Sequence, residues 1–119
     1  MFKTYLHTVN GYKFKLAEWE GRNGPLVGIH GLTGNHTHFA ALAEKLSPHY
    51  RFLAYDLRGR GESSPADENS SFVKHADDAI ALIDKMNLKK PVLIGHSMGA
   101  FIAALIASKY DNLAGLIFL

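Results

Sequence analysis

The chain has 119 residues, 47% hydrophobic and 20% charged, a size and composition suited to one small globular domain. Thirteen Lys and Arg against eleven Asp and Glu leave a net charge of +2 with no dense basic stripe, so nucleic acid and anionic membrane are not expected as partners. The absence of cysteine excludes disulfides, thiolate metal sites and a cysteine nucleophile.

Tyr5 to Val9 and Tyr12 to Trp19 read as a β-hairpin around Asn10-Gly11, a pair that supplies the two positive-φ positions of a type I′ turn. Tyr12, Phe14 and Leu16 alternate with Lys13 and Lys15, which predicts one buried face and one wet face. A polar loop, Glu20 to Gly24, leads to a buried strand from Pro25 to Ile29. Then comes His30-Gly31-Leu32-Thr33-Gly34-Asn35. It reads either as an ordinary strand-to-helix turn or as a loop whose backbone faces a ligand. In the second reading it is one wall of an oxyanion hole, with the Leu32 N–H as one donor and the Met98 N–H as the other.

Thr37 to Leu46 is predicted helical, with Phe39, Leu42 and Leu46 on one face and Asn35 or Thr37 as the cap. Its two early histidines, His36 and His38, diverge at helical spacing, and no carboxylate or cysteine nearby completes a ligand set, so no metal is expected. Arg51 to Tyr55 is the next strand, followed by Asp56-Leu57-Arg58-Gly59-Arg60-Gly61-Glu62-Ser63. The Gly-x-Gly there does not complete a phosphate-binding pattern, and the stretch reads as a tight turn with Asp56 and Arg58 in structural roles. A helix capped by Ser70 or Ser71 runs to Met86, with Phe72, Val73, Ala76, Ile80 and Ile83 as its apolar stripe. Lys74, Asp77, Asp78, Asp84 and Lys85 are assigned to its wet side.

The most informative stretch is Pro91 to Ala107. A short apolar strand, Val92 to Ile94, meets a long apolar helix reaching about Tyr110. Between them Gly95-His96-Ser97-Met98-Gly99 fits G-x-S-x-G. A chain turning so sharply holds its serine in a sparsely populated backbone region, and small neighbours on both sides leave room for strand and helix to crowd together. A glycine-flanked serine in an ordinary turn is the bland alternative; the strand before it and the helix after it favour the elbow. Leu113 to Leu119 is the last strand.

Three motifs give this sequence a family resemblance. His30-Gly31 after the third strand, Asp56-x-Arg58-Gly59-x-Gly61-x-Ser63 after the fourth and Gly95-His96-Ser97-Met98-Gly99 after the fifth together resemble the α/β-hydrolase fold superfamily, over the whole chain. The resemblance implies an α/β fold: a mainly parallel sheet led by an antiparallel hairpin, with helices on both faces, ending after the sixth strand. It implies hydrolysis of a small-molecule substrate through an acyl-enzyme on Ser97, with Leu32 and Met98 donating to the oxyanion and no cofactor. The expected substrate is a small, mostly apolar ester or related carbonyl compound, with Phe39, Leu32 and Met98 as lining candidates. A serine at the elbow argues against the dehalogenase and epoxide hydrolase branches, and leaves carboxylesterases, lactonases, C–C bond hydrolases and cofactor-free haloperoxidases.

The sequence also departs from that pattern. The superfamily's acid and histidine follow the nucleophile, yet after Ser97 the only acidic residue is Asp111 and there is no histidine. Asp111 precedes the last strand, at the end of the sheet opposite the chemistry. Residues 1–119 therefore read as the N-terminal half of a single hydrolase domain, inactive alone. His30, His36, His38 and His96 are weighed as a substitute base, and none is favoured. The alternative is a non-catalytic binding or assembly domain that keeps the fold. Self-association through Leu113 to Leu119, an apolar open edge, is expected. With no signal-type apolar core near the N-terminus and no run long enough to span a bilayer, a cytoplasmic, non-membrane location is the expectation.

Overall fold

Asn10 and Gly11 both adopt positive φ, 52° and 83°, and close a hairpin between β1 (Phe2–Val9) and β2 (Tyr12–Trp19). This is the geometry the Asn-Gly pair predicts. The computed structural model describes residues 2–119. They form one six-stranded sheet with β3 (Asn23–Ile29), β4 (Tyr50–Tyr55), β5 (Val92–Gly95) and β6 (Gly115–Phe118), in the order β1-β2-β4-β3-β5-β6. The hairpin joins antiparallel through β2 against β4, and the other four strands are mutually parallel.

Each central strand buries both faces, so the core has two halves. Phe14, Leu16, Val27, Ile29, Leu53 and Leu93 face one side. There they meet α2 (Phe72–Lys85) and α3 (Met98–Ala107). Ala17, Trp19, Phe52, Ala54 and Ile94 face the other side, under α1 (Ala40–Leu46). Phe52 is fully buried between Trp19 and Phe39, and truncating such a ring to alanine costs about 3–5 kcal/mol.

The predicted helix from Thr37 divides into a 3-10 turn, His36–Phe39, capped by Asn35, and then α1. The helix before the last strand stops at Ala107 rather than near Tyr110, and β6 occupies only Gly115–Phe118 of the predicted Leu113 to Leu119.

The largest correction concerns α2. Ser71 caps it by accepting from the Lys74 N–H, as its position suggests, but Phe72 and Val73 are exposed. Asp78, assigned to the wet side, is buried. The buried face is Ala76, Asp78, Ala79, Leu82 and Ile83. Asp78 tolerates burial because Arg58 meets it with two parallel bonds, Nε to Oδ2 at 3.1 Å and Nη2 to Oδ1 at 2.7 Å. Desolvation of its carboxyl outweighs that pairing and leaves its proton affinity above the ordinary value.

The topology fixes where a ligand belongs. The β3–α1–β4 connection leaves on one face of the sheet and β5–α3–β6 on the other, so β3 and β5 flank the point where strand order reverses. Open α/β sheets bind ligands at the carboxyl ends of the strands beside such a crevice. Among the described residues, no helix is long and apolar enough to cross a membrane.

Candidate functional site

Ser97 stands at that crevice, between the end of β5 and the start of α3. Its backbone is at φ 56°, ψ −120°, a region that suits glycine and costs another residue about 1–3 kcal/mol. The surrounding bonds hold it there. The His96 N–H donates to the Ile29 carbonyl at 3.0 Å, Gly99 to His96 at 2.9 Å, and Ala100 to Ser97 at 2.9 Å. The two elbow glycines answer to close approach. A Cβ on Gly99 would overlap the Ile29 carbonyl oxygen, and one on Gly95 would lie 2.5 Å from the Ala100 Cα. Ser97 itself is exposed, and its hydroxyl has no hydrogen-bond partner among the described residues.

The loop after β3 lies against this serine. A Cβ on Gly31 would sit 3.2 Å from the Ser97 Cβ and from the His96 carbonyl oxygen, tighter than an ordinary contact, so glycine eases the close approach of the two loops. Buried polar groups fix the loop's shape. The Leu57 N–H donates to His30 Nε2 at 2.9 Å, which places the ring proton on Nδ1, and Nδ1 donates in turn to the Gly31 carbonyl at 2.7 Å. His30 is completely buried, and that desolvation holds its proton affinity below the ordinary imidazole value. Arg60 donates from Nε to the Leu32 carbonyl at 2.5 Å. The Leu32 and Met98 N–H groups donate to no protein acceptor among the described residues.

Leu32 and Met98 line the same groove, a cleft of ≈ 400 Å³ shared with Arg58, Arg60, Phe72 and His75. Phe39, the third lining candidate, is not there. Its ring packs under Gly28 and against Phe52 on the opposite face of the sheet. Asp56 is fully buried and accepts from the His36 and Glu62 N–H groups at 2.7 and 2.9 Å. It thereby pins the loops after β3 and β4. Arg58 pairs with Asp78 rather than with Asp56.

No hydrogen bond joins Ser97 to a histidine or a carboxylate among the described residues. His30 is committed to Leu57 and Gly31, and His36 to Asp56 through Nδ1 at 2.7 Å. His96 and His38 are exposed. Two groove residues, Arg60 and His75, have no role in the sequence reading. His75 sits in an amphipathic helix with no motif around it, and Arg60 lies in a turn assigned to structure. The docking of α2 brings His75 to the serine's side, and the bond to the Leu32 carbonyl holds Arg60 there. Among the described residues, no three His, Asp or Glu side chains gather as a metal-binding group.

Comparison with known proteins agrees with this architecture. Residues 24–119 match the model of the alpha/beta hydrolase fold family. A 2-(acetamidomethylene)succinate hydrolase of Mesorhizobium japonicum is 35% identical over 95 residues, covering 79% of this chain and 34% of that protein. Esterase YbfF of Escherichia coli is 30% identical over 104 residues, covering 84% of this chain and 41% of that protein. The crystal structure of a bacterial membrane phospholipase A superposes with a TM-score of 0.91 at 26% identity, over 98% of this chain and 39% of that one. The N-acyl homoserine lactonase AidH superposes at 0.93, over 99% of this chain and 44% of that one; at 24% identity this likeness speaks for the fold alone. The chain thus spans about a third of the length of the curated relatives it matches.

Proposed function

This chain belongs to the alpha/beta hydrolase fold family, and on that basis we propose that it carries the nucleophile half of a serine hydrolase site acting on a small, mostly apolar ester. Ser97 is the nucleophile. Its hydroxyl oxygen attacks the ester carbonyl, and its proton passes to a histidine base. The negative charge that develops on the carbonyl oxygen is received by the Leu32 and Met98 N–H groups, which have no other acceptor among the described residues. The alcohol leaves with that proton, and water then cleaves the acyl-enzyme to release the acid. The observation that carries the reading is an exposed serine held at φ 56° beside a groove, at the point where strand order reverses.

The base and its acid are not among these residues, and the reading places them in chain beyond residue 119, for which the relatives' greater length leaves room. The 119-residue polypeptide alone is expected to be inactive, because an unassisted hydroxyl is a weak nucleophile. A fluorophosphonate probe tests this. In the full-length protein it is expected to label Ser97, and Ser97→Ala is expected to lose both the label and ester hydrolysis. Equal labelling of the two proteins would remove the idea. A non-catalytic binding domain is the second reading, favoured by the absence of any partner on the Ser97 hydroxyl; it requires that neither labelling nor hydrolysis is seen in the full-length protein.

A further inference from the structure

The groove beside Ser97 is lined by apolar side chains, Leu32, Met98 and Phe72, and by the basic side chains Arg58, Arg60 and His75. No aspartate or glutamate among the described residues lines the cleft. The Arg58 charge is spent on Asp78. That of Arg60 is not. Its Nε and Nη1 donate to the backbone carbonyls of Leu32 and Gly59, its Nη2 has no protein acceptor, and no carboxylate forms an ion pair with it among the described residues. His75 presents a second unmet demand: neither of its ring nitrogens has a hydrogen-bond partner among the described residues, and Nε2, unlike Nδ1, is not buried.

Resting on the serine hydrolase reading above, we propose that the substrate is an aliphatic ester bearing one carboxylate, and that Arg60 and His75 hold that carboxylate in the groove while Leu32, Met98 and Phe72 cover the alkyl chain. The chemistry fits on both sides. A carboxylate accepts from the free Arg60 Nη2 and from the His75 Nε2–H, the ring nitrogen that is not buried, in charge-assisted bonds that are roughly twice as strong as neutral ones. Burial first, then the positive fields of Arg58 and Arg60, hold the proton affinity of His75 below the ordinary imidazole value, and an anion beside the two side chains opposes the second influence. Arg60 also grips the Leu32 carbonyl, so the group that would hold the carboxylate holds the oxyanion loop as well. The ≈ 400 Å³ cleft is of the size that takes a small molecule.

Matched esters test the proposal in the full-length protein. Monomethyl glutarate and methyl pentanoate have the same acyl chain length and differ by the terminal carboxylate. The acidic ester is expected to have the higher kcat/KM, and Arg60→Gln and His75→Leu are each expected to lower that preference roughly 10- to 100-fold, the worth of a hydrogen bond to a charged group. His75→Leu carries the test if Arg60→Gln melts early, since it leaves the Leu32 carbonyl untouched. Equal or faster hydrolysis of methyl pentanoate, with Ser97 still labelled, overturns the proposal and leaves the hydrolase reading standing. If labelling fails instead, glutarate itself reads the groove: a saturable shift of the His75 ring resonances, absent in Arg60→Gln, supports the carboxylate site, and no shift overturns it.

Discussion

Replacing Ser97 by glycine and by alanine should order the two variants against the usual rule. At most positions glycine is the less stable of the pair by about 0.5–1 kcal/mol, because the unfolded chain has more freedom to lose. At φ 56°, ψ −120° every residue with a Cβ is strained by about 1–3 kcal/mol, and glycine is not. The difference leaves Ser97→Gly more stable than Ser97→Ala by about 1 kcal/mol. Ser97→Ala should melt with the wild type, since the hydroxyl it removes is exposed and bonds to nothing. In a domain of hydrolase size this separates the two variants by about 2–4 °C in Tm. Scanning calorimetry and urea denaturation of the three proteins read it directly. Should the glycine variant melt below the alanine variant, the strained elbow is not there, and the reading of Ser97 goes with it.

Other consequences of the same geometry are open to measurement. Gly99→Ala drives a methyl group into the Ile29 carbonyl and is expected to cost at least about 1–3 kcal/mol in urea denaturation, as overpacking does when backbone must move. Asp78→Ala strands the Arg58 guanidinium at 3% exposure and is expected to cost about 3–5 kcal/mol, whereas the pair Arg58→Met with Asp78→Leu should cost much less, measured by the same titration. The 119-residue polypeptide by itself is proposed to self-associate through β6, the sheet's last strand, where Ile117, Phe118 and Leu119 are exposed; sedimentation should show mass rising with concentration, and a monomer throughout would dismiss it. His30 sets a pH dependence. Its folded proton affinity lies below the ordinary pKa of 6.5, so its effect is absent well above that value, and stability falls as pH drops below it, because the unfolded chain takes up the proton more readily than the folded one. His30→Asn should flatten that part of the stability curve, and an unchanged slope would refute the assignment.

How much of this could be read in advance depends on how local the cause is. The hairpin, the elbow and the strand–helix alternation were legible because each rests on a few adjacent residues: Asn10-Gly11, the glycines around Ser97, the apolar run of β5. The burial of Asp78 was not. Its partner Arg58 is 20 residues earlier, and helical periodicity places a carboxylate on the wet side unless that partner is known. Phe39 was misplaced for a related reason. An aromatic residue near the loop of Leu32 is near it in sequence, but α1 lies on the opposite face of the sheet from α3, and the ring follows α1. His75 carries no local signal at all, because its position in the groove depends on how α2 docks.

The buried polar side chains show what the fold invests in this edge. Among the described residues five are buried, Glu18, His30, Asp56, Arg58 and Asp78. Four of them, all but Glu18, belong to the network at the carboxyl ends of β3 and β4 beside Ser97. Each costs desolvation free energy that an apolar residue would not, so packing alone does not account for their clustering. Their bonds act in concert. His30 fixes the Gly31 carbonyl, Asp56 ties the loop after β3 to the loop after β4, and Arg58 with Asp78 docks α2 onto that second loop. Three connections that would otherwise move independently become one rigid rim, with Gly31 pressed against Ser97. On the proposed serine hydrolase reading, such a rim would hold backbone N–H groups ready for a charge that exists only during reaction. It follows that Asp56→Asn, which retains one acceptor oxygen of two, should lower turnover in the full-length protein by more than its loss of stability explains, measured as kcat at a temperature where both proteins are fully folded; a kcat equal to the wild type there would reduce the rim to architecture.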